Sequence, residues 1–279
     1  MHLRAVCCTL LLLTSAIYAE TPECRPLPGA DALWRKSDLR FVLVGEMHGT
    51  TETPQVFRDL ICAAHAAKRP LLVGLERPSA EQKSIDRFLA AEDHADAVRE
   101  LLRERDWNVF DGRSSKAMLA LLEELRTLRL RGDIQGVLAF DDARSGEAPA
   151  QREQRMAAML TAAADRVPNG LVIALTGNWH GSKKPSARFG YPWMAMLLPS
   201  SETTVSLLAT DKGGEAWIQT SDGCGPHPIS SSGGDQRGVV MPDPRAAQRG
   251  YDGALSIGAN LTASAPALPN APPPPACSK

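Results

Sequence analysis

Phe41-Val42-Leu43-Val44-Gly45-Glu46-Met47-His48-Gly49-Thr50 sets the architecture of this 279-residue chain. Four consecutive apolar residues predict a strand buried on both faces, with Gly45 as its stop. Thr53-Pro54 then predicts a helix to about Lys68, because proline in the first turn lacks only an N–H that has no intrahelical partner. The same pattern recurs downstream. Leu71–Leu75 is a second buried strand, stopping at Glu76-Arg77-Pro78; Ile134–Phe140 is a third, ending at Asp141-Asp142; Leu171–Leu175 is a fourth, ending at Thr176-Gly177. Helical pattern fills the intervals. Ser79 with Gln82 fits a capping box opening a helix to about Ala91, and two more helices follow near Ala95–Arg105 and Ser114–Arg131. The latter carries Met118, Leu119, Leu122, Leu125 and Leu128 at helical spacing and stops at Gly132. Ala150–Arg166 is helical up to the turn Pro168-Asn169-Gly170. Buried strands separated by helices predict an α/β fold of three layers, a mainly parallel sheet with helices on both faces.

From about Ser200 the pattern changes. Thr203–Thr210 and Glu215–Thr220 predict a C-terminal hairpin around Lys212-Gly213-Gly214. Ser221–Gly238 reads as a long loop, and Pro272–Pro275 falls in an irregular tail. The expected layout is a signal peptide over 1–19, an N-terminal extension over 20–38, a single α/β domain over 39–260 and a Pro-rich tail over 261–279.

Composition narrows the class. With 31 basic and 32 acidic residues, the chain lacks the basic excess of a nucleic-acid binder. At 43% hydrophobic it has ample material for a core. No triplet, heptad or long apolar run marks a collagen, coiled coil or multi-span membrane protein. At the N-terminus, His2 and Arg4 precede the apolar run Ala5–Leu13, too short to cross a bilayer, and then the small residues Ser15, Ala16 and Ala19. This is the pattern of a secretory signal peptide cut after Ala19 or Ala16, the alternative being an uncleaved anchor. The mature protein is therefore expected to be periplasmic or secreted, with no membrane span. Cys7 and Cys8 leave with the signal. Cys24, Cys62, Cys224 and Cys277 match no zinc spacing and suggest disulfides in an oxidising compartment. Pairing Cys24 with Cys62 and Cys224 with Cys277 ties both ends to the body; Cys62 as a plain buried thiol is the alternative.

A short pattern recurs at two strand ends. The first strand runs into Gly45-Glu46-Met47-His48-Gly49 and the fourth into Gly177-Asn178-Trp179-His180-Gly181. In a parallel sheet the carboxyl ends of the strands line one edge, where ligands bind. The second and third strands deliver Glu76 with Arg77, and Asp141, Asp142 and Arg144, to that edge. Each group has a structural reading of its own, as a hydrogen-bonded histidine, a rim ion pair or a loop cap. Together, two histidines and several carboxylates in one crevice are expensive to build for stability alone and point to a functional site. His65, His94 and His227 read as helix, loop and flexible-segment residues, with the last segment a possible lid. No nucleophile elbow, P-loop or dinucleotide fingerprint is present.

Gly45-Glu46-Met47-His48-Gly49-Thr50, Gly74-Leu75-Glu76 and Gly177-Asn178-Trp179-His180 resemble motifs of the erythromycin-esterase-like/ChaN-like/Tiki (TraB) superfamily, over roughly Leu39 to Leu198. The resemblance implies a parallel α/β core with an acidic-His motif after the first strand and a second His after a later one. Gly-Glu-x-His is close to the ChaN-like form, and the paired Gly-x-x-His motifs are similar to the Tiki branch of proposed metal-dependent peptidases.

Two functions from different classes follow, and the reading favours an enzyme. In the first, the protein is an exported hydrolase acting on a small-molecule ester or a peptide. His48, His180 and Glu46 or Glu76 would hold Mn, Co or Zn with a position open for water. In a metal-free version His48 is the base, oriented by Glu46 or Glu76, and Arg77 or Arg144 stabilises developing negative charge. Asp141, Asp142, Trp179 and Tyr251 are candidates for contacting substrate. In the second, as the ChaN-like resemblance implies, the cleft binds haem through an axial His or Tyr without catalysis. Tyr191 and Tyr251 are the tyrosines left in the mature chain, and Tyr191-Pro192-Trp193-Met194-Ala195-Met196 would wall an apolar pocket or pack as a core helix. Both functions require the rings of His48 and His180 to lie within about 12 Å, a few first-shell bond lengths.

Overall fold

A computed structural model describes residues 24–185, 188–268 and 277. The expected signal peptide and Pro272–Pro275 lie outside the described residues. Strands β1 (Phe41–Glu46), β2 (Leu71–Pro78), β3 (Gly136–Asp141), β4 (Leu171–Gly177), β5 (Thr204–Thr210), β8 (Gly238–Val240) and β9 (Gly253–Ser256) form one sheet in the order β3-β2-β4-β1-β5-β9-β8. Every neighbouring pair is parallel except the antiparallel β8–β9 edge. Strands β6 (Gly214–Thr220) and β7 (Gly223–Ile229) make a separate antiparallel ribbon.

Strand alternation explains the layers, because successive side chains point to opposite faces. On one face Val42, Val44, Val73, Leu75, Ile173 and Leu175 pack against helices α2 (Glu52–Ala64), α3 (Gln82–Ala90), α4 (His94–Leu101) and α5 (Lys116–Leu130). On the other, Phe41, Leu43, Phe140, Val172 and Ala174 pack against α6 (Pro149–Asp165) and the turn Met194–Leu197. A sheet buried on both faces needs continuous apolar runs, which is why the first four strands are readable in the sequence. Helix ends follow local chemistry: Ser115 caps α5 by accepting from the Met118 N–H, and Pro149 opens α6.

Four expectations are corrected. Thr204–Thr210 does not pair with the following segment but lies parallel beside β1, with Phe41 opposite Thr204. The hairpin is instead β6–β7, its turn at Thr220–Gly223, so part of the expected Ser221–Gly238 loop is strand. Gln82 forms no capping box. Its side-chain amide donates to the Val137 carbonyl at 2.9 Å and accepts from the Ala139 N–H at 2.8 Å, docking α3 onto β3 like an added strand residue. His94 starts α4 rather than sitting in a loop.

The tyrosine before β9 links the late segment to the first strand. Short helices α1 (Asp31–Trp34) and α7 (Pro244–Gln248) flank the sheet, and Tyr251, just after α7, lays its ring on Gly45. A Cβ at Gly45 would sit 2.2 Å from the Tyr251 hydroxyl, so only glycine fits. Disulfides Cys24–Cys62 and Cys224–Cys277 tie the residues before α1 to α2 and the ribbon to the chain's last residues, as expected. Among the described residues no helix is long and apolar enough to cross a membrane. Gly45→Ala is expected to destabilise the protein by about 1–3 kcal/mol through overpacking, read as a lowered urea midpoint with an unchanged slope.

Candidate active site at the carboxyl edge of the sheet

The ends of β1, β2 and β4 open into a cleft of about 670 Å³ lined by Glu46, His48, Glu76, Trp179 and His180 among others. Glu76, at the end of β2, is its centre. One carboxylate oxygen accepts from the Thr176 hydroxyl at 2.7 Å and the Gly177 N–H at 2.6 Å, and the other from Arg152 at 3.0 Å. Arg113 lies 3.5 Å away. His48 Nε2 is 3.7 Å and His180 Nε2 3.6 Å from the same carboxylate. The two imidazoles, 132 positions apart in sequence, thus face one group from opposite sides.

Each histidine is fixed from behind. His48 Nδ1 is 2.9 Å from Glu46, and His180 Nδ1 is 2.9 Å from Glu153, which also accepts from the Met194 N–H at 2.8 Å. Arg152 Nη1 is 3.3 Å from His180 Nε2. Glu46 is buried, and its second oxygen has no hydrogen-bond partner.

Alternation along β2 separates two residues expected to act together. Glu76 turns toward α6, while Arg77 turns to the opposite face, buried over the Trp107 ring and bidentate to Glu81 at 2.9 and 2.6 Å. Arg77 also donates to the Arg113 carbonyl and the Ser114 hydroxyl, holding the turn that aims Arg113 at the cleft. Asp141 is buried beneath the cleft, bound to Arg152 at 2.8 and 2.9 Å and to Arg113 at 2.8 Å. Asp142 and Arg144 pair with each other at 2.8 Å outside the cleft lining, where Arg155 also binds Asp142. Trp179 lines the cleft and is 54% exposed. Tyr251 is buried and its hydroxyl donates to the Asn178 carbonyl, so it supports the β4 loop from below. His65 binds the Asp133 carbonyl, and His227 lies on β7 beside Thr220.

Sequence reading missed Arg152, Glu153, Arg113 and Asp111. The signal for the first two was positional: in a βαβ unit the first turns of a crossover helix lie beside the strand carboxyl ends, and both residues fall in the opening turns of α6. Asp111-Gly112-Arg113 is a turn before the α5 cap. Asp111 holds the Arg113 guanidinium at 2.8 and 2.6 Å, and Gly112 packs on the Gly49 backbone.

Electrostatics follow from this packing. Burial pushes the Glu46 carboxyl above its ordinary value even though His48 opposes it. Burial also pushes Glu76 up, but the imidazoles of His180 and His48 and the Arg113 guanidinium hold it well below the carboxylate range. Burial alone would lower His48; Glu76 and Glu46 outweigh it and carry the imidazole up to about 10.

The donor set does not fit the expected metal centre of His48, His180 and Glu46. The Arg152 guanidinium stands 3.3 Å from His180 Nε2, Glu46 faces His48 Nδ1, and two guanidiniums lie against the charge of Glu76. Among the described residues no group of three or more His, Cys, Asp and Glu side chains is arranged to hold an ion. Neither tyrosine offers an axial oxygen to the cleft, since Tyr251 is buried with its hydroxyl bound and Tyr191 packs against Phe189 and Trp193 outside the cleft lining.

Fold and site define an α/β protein with two His–Glu pairs converging on a third carboxylate at the strand ends. Solved structures with this fold include an erythromycin esterase in its open conformation, 11% identical over 86% of this chain and 95% of that one, with a TM-score of 0.60. A succinoglycan biosynthesis protein is 9% identical over 74% of this chain and 75% of that one, at 0.55. A Bacillus cereus protein is 11% identical over 82% of this chain and 90% of that one, at 0.50. At such identities the likeness is one of fold, and the fold is the one that the motif resemblance implied. No protein-family model and no curated protein matches the chain.

Because His48 is raised in the folded state from an ordinary 6.5 to about 10, its stabilising contribution is complete below about 6.5. It is lost as pH rises through about 10. The difference in unfolding free energy between wild type and His48→Gln is therefore expected to shrink across that interval in urea titrations. Glu76→Ala, which leaves the buried Thr176 hydroxyl and Gly177 N–H without their acceptor and takes one of several carboxylates from Arg113 and Arg152, is expected to cost about 1–3 kcal/mol.

Proposed function

We propose that the protein is an exported hydrolase that activates water without a metal ion, cleaving an acyl bond of ester or amide type in a small molecule or peptide. The observation that carries this reading is the posture of His48: its Nδ1 is fixed on buried Glu46 while Nε2 faces the cleft. In the neutral ring the proton stays on Nδ1, because Glu46 accepts it, leaving the Nε2 lone pair to take a proton from water. The hydroxide equivalent attacks the acyl carbon, and charge developing on the carbonyl oxygen meets Arg152 and Arg113, already immobilised by Asp141, Asp111 and Glu76. The proton on Nε2 then passes to the leaving group. His180, held by Glu153 and holding Arg152, is a positioning residue in this scheme. Export is supported by the signal-like N-terminus and by two disulfides, which persist in oxidising compartments.

Base catalysis needs the neutral imidazole, so kcat/KM on activated esters is expected to rise with pH toward about 10 and then level. His48→Gln should lose about 100-fold or more in kcat/KM, the scale of a general base, while His180→Gln should lose less and flatten the dependence on Arg152. A pH-independent rate, or a His48→Gln variant as active as wild type, contradicts the reading. Chelator should leave the rate unchanged. Haemin titration is expected to give no saturable Soret shift; a shift abolished by His48→Gln would favour haem binding instead.

A further inference from the structure

A second hollow, of about 320 Å³, adjoins the cleft and shares Asn178, Trp179 and Arg249 with it. Its chemistry differs from that of the cleft. Trp179, Trp193 and Tyr251 supply aromatic surface, Lys184 and Arg249 supply positive charge, and among the described residues no acidic side chain lines it.

Trp179 is pre-oriented. Its ring packs against Trp193 at 5.6 Å and edge-on to Phe189 at 5.7 Å, yet it stays 54% exposed. A large indole held by two neighbours and left open to solvent is an unfilled stacking face, costly to expose without use. Arg249 is exposed. Its main chain is engaged, with the carbonyl accepting from the Ser182 hydroxyl at 2.8 Å, but among the described residues its guanidinium forms no hydrogen bond or ion pair. Among the described residues the Lys184 ammonium reaches only the Gln248 carbonyl, at 3.4 Å. By contrast the arginines inside the cleft, Arg113 and Arg152, are saturated by carboxylates. The free positive charge of this edge is thus concentrated in the side hollow, on a chain that is otherwise slightly acidic.

We propose that this hollow is a recognition subsite for a flat ring carrying an anionic group. The ring would stack on Trp179 and its carboxylate, sulfonate or phosphate would pair with Arg249 and Lys184. Resting on the proposed hydrolase reading, this deepens it: the substrate is an acyl compound whose scissile bond lies at His48 and whose anionic ring occupies the adjoining subsite. Trp179 is then a wall common to both compartments and sets which end of the substrate enters first.

The test uses binding alone, so it stands or falls apart from hydrolysis. Naphthalene-2-sulfonate and its neutral analogue 2-naphthalenemethanol are titrated into the intact protein and followed by tryptophan fluorescence. The sulfonate is expected to quench saturably and to bind at least about fivefold more tightly than the alcohol, the scale of one exposed ion pair. Arg249→Gln should weaken the sulfonate by a similar factor and leave the alcohol unchanged, and added salt should mimic the substitution. Trp179→Ala should weaken both probes and remove most of the quench. Equal affinity for the two probes, no saturable binding, or sulfonate binding indifferent to Arg249→Gln overturns the proposal. Loss of ester hydrolysis in His48→Gln with probe binding intact would leave the subsite standing, and probe failure with hydrolysis intact would remove the subsite alone.

Discussion

Glu76 is a buried carboxylate at a strand end, where water cannot solvate its charge and the fold must do so instead. The Thr176 hydroxyl and the Gly177 N–H at the end of β4 supply two donors, and Arg152 from α6 supplies a third. Arg113, from the turn before α5, stands 3.5 Å away. These elements come from both faces of the sheet, so satisfying one anion fixes β2, β4, α6 and that turn relative to each other. The histidines inherit their positions from the same arrangement. Remove the charge and the Thr176 hydroxyl and Gly177 N–H lose their acceptor, while Arg113 and Arg152 are left to Asp111 and Asp141 alone.

Around that anion the site is layered. Asp141 sits beneath and binds both arginines, Asp111 holds Arg113 from the side, and Arg77 holds the Arg113 turn from the opposite face. The chemistry that reaches the cleft is therefore narrow: one imidazole edge, two pre-aimed guanidiniums and an exposed indole. Such preorganisation means that little has to move when charge develops on a bound acyl group. It also explains why the donor set suits proton transfer better than metal ligation, since guanidiniums stand against both Glu76 and His180 Nε2 where a cation would have to sit.

Much of this architecture was readable in the chain. Strands buried on two faces announce themselves as unbroken apolar runs, and the four that carry the site did so. Thr204–Thr210 carries Val205, Leu207 and Leu208, the apolar content of a buried strand, but the glycine turn after it mimics a hairpin and hides its parallel pairing with β1. Strand β7 was hidden because Pro226 and Pro228 interrupt it, which only an edge strand tolerates. At the site, Glu46, His48, Glu76 and His180 converge because parallel strands share an edge. Arg77 does not join them because one step along a strand reverses the face, and Asp142 and Arg144 turn outward to each other. Arg152 and Glu153 were invisible to a search of strand ends because they sit on a helix, where charged residues usually mean a solvated face.

Two buried carboxylates, Glu46 and Glu76, hold the His48 imidazole and both of its protons. A pH titration of the imidazole nitrogens by nitrogen-15 NMR on the folded protein tests this directly. The expected result is a His48 ring that stays doubly protonated through neutrality, titrates near about 10 and, once neutral, keeps its proton on Nδ1. A His48 ring that titrates near its ordinary value of 6.5, or that carries its neutral-form proton on Nε2, would contradict the account.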